Sequence, residues 1–192
     1  MVSAKASLQK LLEGNERFVN GQALHPHQGN ADRESGMSGQ HPVAIVLSCS
    51  DSRVPPEIIF DQGIGDLFVI RVAGNLVDNL ILGSIEYAAD HLRVPLLIVL
   101  GHTDCSAVTA AIKSASAESK MDYILKAIQP AVEEARNIPG DQVTNTVEIH
   151  VRQLVESLEA QAPILNYLVD HQQLIVEGAV YDIKTGCVTL LE

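Results

Sequence analysis

Val43-Ala44-Ile45-Val46-Leu47 and Leu96-Leu97-Ile98-Val99-Leu100 are short, unbroken apolar runs. Runs without polar alternation predict strands buried on both faces, as in a parallel sheet covered by helices. Leu67-Phe68-Val69-Ile70 and Leu174-Ile175-Val176 carry the same signal more weakly. Between them the apolar spacing becomes helical. Ile81, Ile85, Ala88 and Leu92 share one stripe, and Tyr123 to Arg136 and Val147 to Glu159 give two further helices. Thr185-Gly186 marks a turn into a last strand, Cys187 to Leu191, expected antiparallel to its neighbour. The alternation predicts a single-domain α/β fold with a central, mostly parallel sheet of about four to five strands flanked by helices.

Ahead of the sheet, Ala4 to Val19 places Leu8, Leu11, Leu12 and Phe18 near one helical stripe, with Lys10, Glu13 and Arg17 outside it. Gly21 then opens a polar stretch ending at Gln40, containing His25, Pro26, His27, Gly29, Gly36 and Gly39. Structureless connections of such length are uncommon inside a compact domain. Residues 1–40 are therefore expected to form an arm whose leading helix lies over a partner subunit, with 41–192 as the α/β domain. The alternative is a helix folded back on its own domain.

The 192 residues suffice for a buried core. Thirteen Lys and Arg against 24 Asp and Glu leave a net charge of −11. Such a surface repels nucleic acid and anionic lipid, so neither is an expected partner. The longest apolar stretch, Val94 to Leu100, is far short of the ~18 residues of a membrane span. The start of the chain shows no apolar run of signal-peptide length. Cys49, Cys105 and Cys187 are an odd number in a chain too large to need staples. Reduced thiols in the cytoplasm are the expectation.

Ligand crevices of open α/β sheets lie beyond the carboxyl ends of the strands. The first strand runs into Ser48-Cys49-Ser50-Asp51-Ser52-Arg53, and the later apolar strand into Gly101-His102-Thr103-Asp104-Cys105. Two thiols and an imidazole at one sheet edge are the donors zinc prefers, and three protein ligands leave a tetrahedral position for water. Asp51 can accept a hydrogen bond from that water, and Arg53 can grip the carboxylate through two guanidinium bonds. Two thiolates formally cancel the charge of zinc, so an ionised acceptor beside the water gains importance. Cys187 as a fourth ligand would close the site; its place in the last strand reads instead as core. Gly63-Ile64-Gly65 lacks the third glycine of a dinucleotide fingerprint, and the chain has neither a P-loop nor a Cys-x-x-Cys. His25, His27 and His41 read as solvated arm residues.

These paired motifs resemble the β-class carbonic anhydrases, and the likeness extends through Asp61-Gln62-Gly63-Ile64-Gly65-Asp66 and Arg71-Val72-Ala73-Gly74-Asn75. The resemblance implies Cys49, His102 and Cys105 as ligands of one Zn2+ per subunit, with Asp51 and Arg53 as the catalytic dyad. Asp51 would be a fourth ligand in a closed state. It implies reversible hydration of carbon dioxide to bicarbonate and a proton via zinc-bound hydroxide. Carbon disulfide or carbonyl sulfide hydrolysis, or a silent zinc- or bicarbonate-binding homologue, are the alternatives. Family members pack as dimers through exchanged N-terminal helices and often as tetramers or octamers; a homodimer or higher homo-oligomer, with a tetramer foremost, is implied. Gln40 matches a substrate-binding carboxamide, and Phe68 and Tyr87 match aromatics lining the cleft across the dimer. The family has Gly directly after the second Cys ligand, where this chain has Ser106. If that position requires positive φ, serine is strained there; otherwise it still offers substrate a backbone N–H.

Overall fold

The computed structural model describes residues 2–113, 119–161 and 163–192. Its five strands are β1 (Ala44–Ser48), β2 (Leu67–Arg71), β3 (Leu96–His102), β4 (Ile175–Tyr181) and β5 (Val188–Leu190). They form one sheet in the order β2-β1-β3-β4-β5. The first four are parallel, and β5 returns antiparallel to β4. The helices are α1 (Ala4–Val19), α2 (Asn30–Ser35), α3 (Pro56–Ile59), α4 (Asn79–Glu86), α5 (Ser106–Ile112), α6 (Met121–Ala135), α7 (Gln142–Gln161) and α8 (Pro163–Asp170). None of the described helices is long and apolar enough to cross a membrane.

Alternate residues of the strands enter different cores, which explains the unbroken apolar runs. Ile45, Leu47, Leu97, Val99 and Val176 pack with Ile85, Val151, Leu158 and Leu165 from α4, α7 and α8. Val46, Leu96, Ile98 and Leu100 pack on the other side with Leu11 of α1 and Ile59 of α3. A third cluster gathers Val108, Leu125, Ile128 and Val147 from α5, α6 and α7 around Cys49 and Cys105. Gly101 lets α7 approach β3: a side-chain carbon there would stand 2.7 Å from Val151 and 2.9 Å from Val147.

Within the single chain α1 lies on the sheet, where Leu8, Leu11 and Phe18 complete the core under Val46 and Ile98. The stretch that follows is polar yet structured. It contains α2 and is pinned to the loop after α3. The Leu24 and His25 amides donate to Asp61 at 2.9–3.0 Å, and Arg17 Nε does so at 2.7 Å. Asp66 is bound by Lys10 Nζ at 3.1 Å and His27 Nδ1 at 2.7 Å. Two acids thus hold the segment that lacks apolar anchors of its own.

Cys187 departs from the sequence expectation. It is exposed, not core, because the Asp182–Cys187 turn extends one residue further than its sequence suggests and β5 begins at Val188. α8 lay outside the sequence expectations altogether.

Asn15, buried on α1, donates to the carbonyls of Ile59 (3.1 Å) and Gly186 (2.8 Å) and accepts from the Val188 amide (2.8 Å). One side chain therefore satisfies three backbone groups and joins α1 to the end of α3 and to the turn into β5. Asn15→Ala is expected to destabilise the fold by about 2–4 kcal/mol, since buried backbone groups lose their partners. Urea unfolding measures this, and an unchanged midpoint would contradict the assigned role.

Candidate metal centre

Between β1 and β3 the strand order reverses. β1 connects outward to β2, while the chain returns past it to β3 on its other side. Such a switch point leaves a crevice at the carboxyl edge of the sheet. In the parallel register Ser48 lies opposite Leu100, so Cys49 leaves β1 beside the last residues of β3, Gly101 and His102. Cys105 arrives after a two-residue turn in which Asp104 takes a left-handed conformation (φ 54°). The ligand atoms of Cys49, His102 and Cys105 all lie within 4.8 Å of one another.

The three side chains are almost wholly buried, at 4%, 1% and 2% exposure. His102 Nδ1 lies 2.8 Å from the Thr103 carbonyl, which only accepts, so the proton sits on Nδ1 and Nε2 presents a lone pair. That buried Nε2 has no hydrogen-bond partner. An orphaned imidazole nitrogen beside two thiols fits a tetrahedral zinc site, whose ligand atoms stand roughly 3.3–3.8 Å apart for bonds of about 2.0–2.3 Å.

The thiols act on each other. The hydrogen bond from Cys105 draws Cys49 down to about 4, against burial and with further help from His102 and the Gly74 amide. Cys105 is pushed up by the same bond and by burial, while the Val108 and Ala107 amides at the start of α5 oppose the rise. The shifts run in opposite directions, which favours one proton shared between the two sulfurs; a bound dication would displace it.

Asp51 and Arg53 flank this group. Arg53 Nε and Nη2 donate to the two oxygens of Asp51 at 2.9 and 2.8 Å, and the Arg53 amide adds a bond of 2.9 Å. The guanidinium also donates to the Asp104 carbonyl at 3.2 Å, so one side chain spans both ligand loops. Arg53 holds the Asp51 carboxyl down at about 2, with burial opposing it. In this arrangement the carboxylate belongs to Arg53 and not to the three-residue ligand group.

Ser106 is the first residue of α5, in helical conformation and outside the positive-φ set. The strain that serine risked is absent, and the left-handed residue of this turn is Asp104 instead. Gln40, Phe68 and Tyr87 are not brought to the centre of the same chain. Gln40 precedes β1, at the opposite end of the sheet from Cys49, in an open depression lined by His27, His41 and Asp66. Phe68 and Tyr87 pair with each other, ring centres 6.2 Å apart, on the edge strand and its neighbouring helix. Cys187 is not part of the ligand group.

Two contributors were not assigned from sequence. Arg71, at the end of β2, donates to the carbonyls of Cys49 (3.0 Å) and Asp51 and so braces the loop between them. The Gly74 amide donates to Cys49 Sγ at 3.4 Å. Both act on or through the backbone, which no side-chain pattern reports; only their place in Arg71-Val72-Ala73-Gly74-Asn75 set them apart.

The carbonic anhydrase family model matches residues 44–188, from the first residue of β1 to the first of β5. The chain belongs to the carbonic anhydrase family. A carbonic anhydrase of Mycolicibacterium smegmatis is 42% identical over 191 residues, covering 96% of this chain and 92% of that protein. Carbonic anhydrase 2 of Mycobacterium tuberculosis is 38% identical over 185 residues, covering 94% and 89%. A tetrameric β-carbonic anhydrase of Sordaria macrospora superposes with a TM-score of 0.79 at 26% identity, covering 96% of each chain. The β-carbonic anhydrase CcaA gives a TM-score of 0.77 at 28% identity, with 96% and 95% covered. These likenesses place the chain in the β class of the family.

The dyad geometry sets a pH expectation. The folded pKa of Asp51, about 2, lies below its ordinary value of 3.8. Its contribution to stability is therefore complete above pH 3.8 and lost as pH falls through about 2. Carboxyl-carbon NMR should follow that low titration, and Arg53→Ala should move it upward. A midpoint still near 2 in the variant would show that Arg53 is not its cause.

Proposed function

We propose that the chain is a zinc-dependent carbonic anhydrase, a lyase that reversibly hydrates carbon dioxide to bicarbonate and a proton. The observation that carries this reading is the buried Cys49–His102–Cys105 group, with its orphaned imidazole nitrogen, beside a carboxylate fixed by Arg53. Cys49, His102 and Cys105 would hold zinc, which supplies Lewis acidity and a nucleophile from water at neutral pH.

The chain's own residues do the rest. Asp51, ionised and clasped at both oxygens, keeps one further acceptor site, on Oδ2, for a hydrogen bond from the reacting water. Because Arg53 fixes its direction, that hydrogen points to Asp51 and an oxygen lone pair is left toward the substrate carbon. Ser106, at the open first turn of α5, offers its backbone N–H to a substrate oxygen. Arg71 and Arg53 keep the two ligand loops in register while bicarbonate leaves.

Gln40, Phe68 and Tyr87 would serve the centre of a neighbouring subunit. Their distance from the centre of their own chain supports this, as do the exposed apolar side chains Leu24, Met37 and Leu80, which a second copy would cover. The carboxamide would then donate to substrate and the aromatics would make a dry wall suited to an apolar gas. A homodimer or tetramer is proposed on this basis. Three cysteines without disulfides suit the cytoplasm.

Asp51→Asn tests the assignment. The variant is expected to keep one zinc per subunit and to lose about a hundredfold or more of the hydration rate in stopped-flow assays. Full activity in the variant would remove Asp51 from the chemistry. A zinc-loaded parent that fails to hydrate carbon dioxide but releases sulfide from carbon disulfide or carbonyl sulfide would replace the proposed substrate.

A further inference from the structure

His150 projects from α7 and is only 4% exposed, yet nothing in the reaction above uses it. Its Nε2 lies 3.0 Å from the Gly74 carbonyl oxygen. A carbonyl accepts only, so Nε2 carries the hydrogen and donates it. Burial keeps the imidazole below its ordinary pKa, which favours the neutral ring that such a bond requires.

The residue that receives this bond is conformationally unusual. Gly74 is left-handed (φ 71°), and Asn75 after it is left-handed as well (φ 41°). Glycine and asparagine tolerate this region, so the sequence permits the turn and the groups around it select it. On one side Ile128 closes in, its Cδ1 only 3.1 Å from where a Gly74 side chain would begin. On another the turn is held by His150. The amide of the same Gly74 is the donor to Cys49 Sγ.

We infer that His150 is a positioning residue for the metal centre: its bond to the Gly74 carbonyl holds the left-handed turn whose amide orients Cys49 Sγ and tempers its donor strength. The inference rests on the reading of Cys49 as a zinc ligand. Outer groups that orient ligands in this way govern metal affinity. His150 differs from usual cases in acting at one remove, through a backbone turn.

The test compares zinc-loaded and cobalt(II)-substituted parent with His150→Gln, which keeps an N–H donor near the position of Nε2, and His150→Leu, which removes it. His150→Asn, polar but too short to reach Gly74, replaces the leucine variant if that one fails to fold. In the donor-less variant the sulfur-to-cobalt charge-transfer band should move to longer wavelength, zinc should pass to a chelator at least tenfold faster, and the Gly74 amide should exchange its hydrogen faster by NMR. The glutamine variant should stay near the parent in all three. Donor-less protein that matches the parent overturns the inference. So does a glutamine variant as impaired as the donor-less one, because ring packing would then be the cause. A parent that carries zinc without hydrating carbon dioxide overturns the proposed activity alone; a parent that binds no zinc overturns both.

Discussion

The pairing of β1 with β3 is the contact on which the centre depends. Its register puts Ser48 opposite Leu100, and from that alignment Cys49, His102 and Cys105 reach one point although the chain between them passes through β2 and α4. Parallel ladders of this kind need cover on both faces. The cores beneath α1 and α3 and beneath α4, α7 and α8 therefore act indirectly on the centre, by fixing the strands that carry its ligands.

A second constraint is electrostatic. Two thiols, an imidazole and a carboxylate are crowded into a largely dry space, and each is assigned a state by a neighbour. Arg53 keeps Asp51 charged, the Thr103 carbonyl chooses the tautomer of His102, and the amides at the start of α5 face Cys105. A cation bound there would meet a frame whose protonation is largely settled beforehand, so less of its binding energy would go into reorganising the site.

Much of this was legible in the sequence because burial on both faces writes itself as unbroken apolar runs. β1 and β3 are the clearest cases, and the ligand motifs follow them directly. The errors fell where local pattern is weak. Cys187 sits among apolar neighbours, but the turn before it ends one residue later than its composition suggests, and the thiol lies outside the strand. The stretch after α1 looked unanchored since its fixings are backbone amides on Asp61 and a hydrogen bond between His27 and Asp66, contacts made far along the chain. At the centre Cys49, His102, Cys105, Asp51 and Arg53 were readable as side chains, whereas Arg71 and Gly74 work on or through the main chain. Gln40, Phe68 and Tyr87 could be matched by type but not placed, because one chain alone does not bring them to its own centre.

Gly101 has a broader implication. It stands next to His102, on a strand pressed against α7 so closely that even one added carbon would collide with two valines. The spacing between sheet and helix at the heart of the molecule is thus fixed by an atom that is not there. Variation in the surrounding core can exchange one aliphatic shape for another, but at this position the repertoire contracts to a single amino acid. The strand that bears the imidazole is thereby seated against α7 one residue before His102.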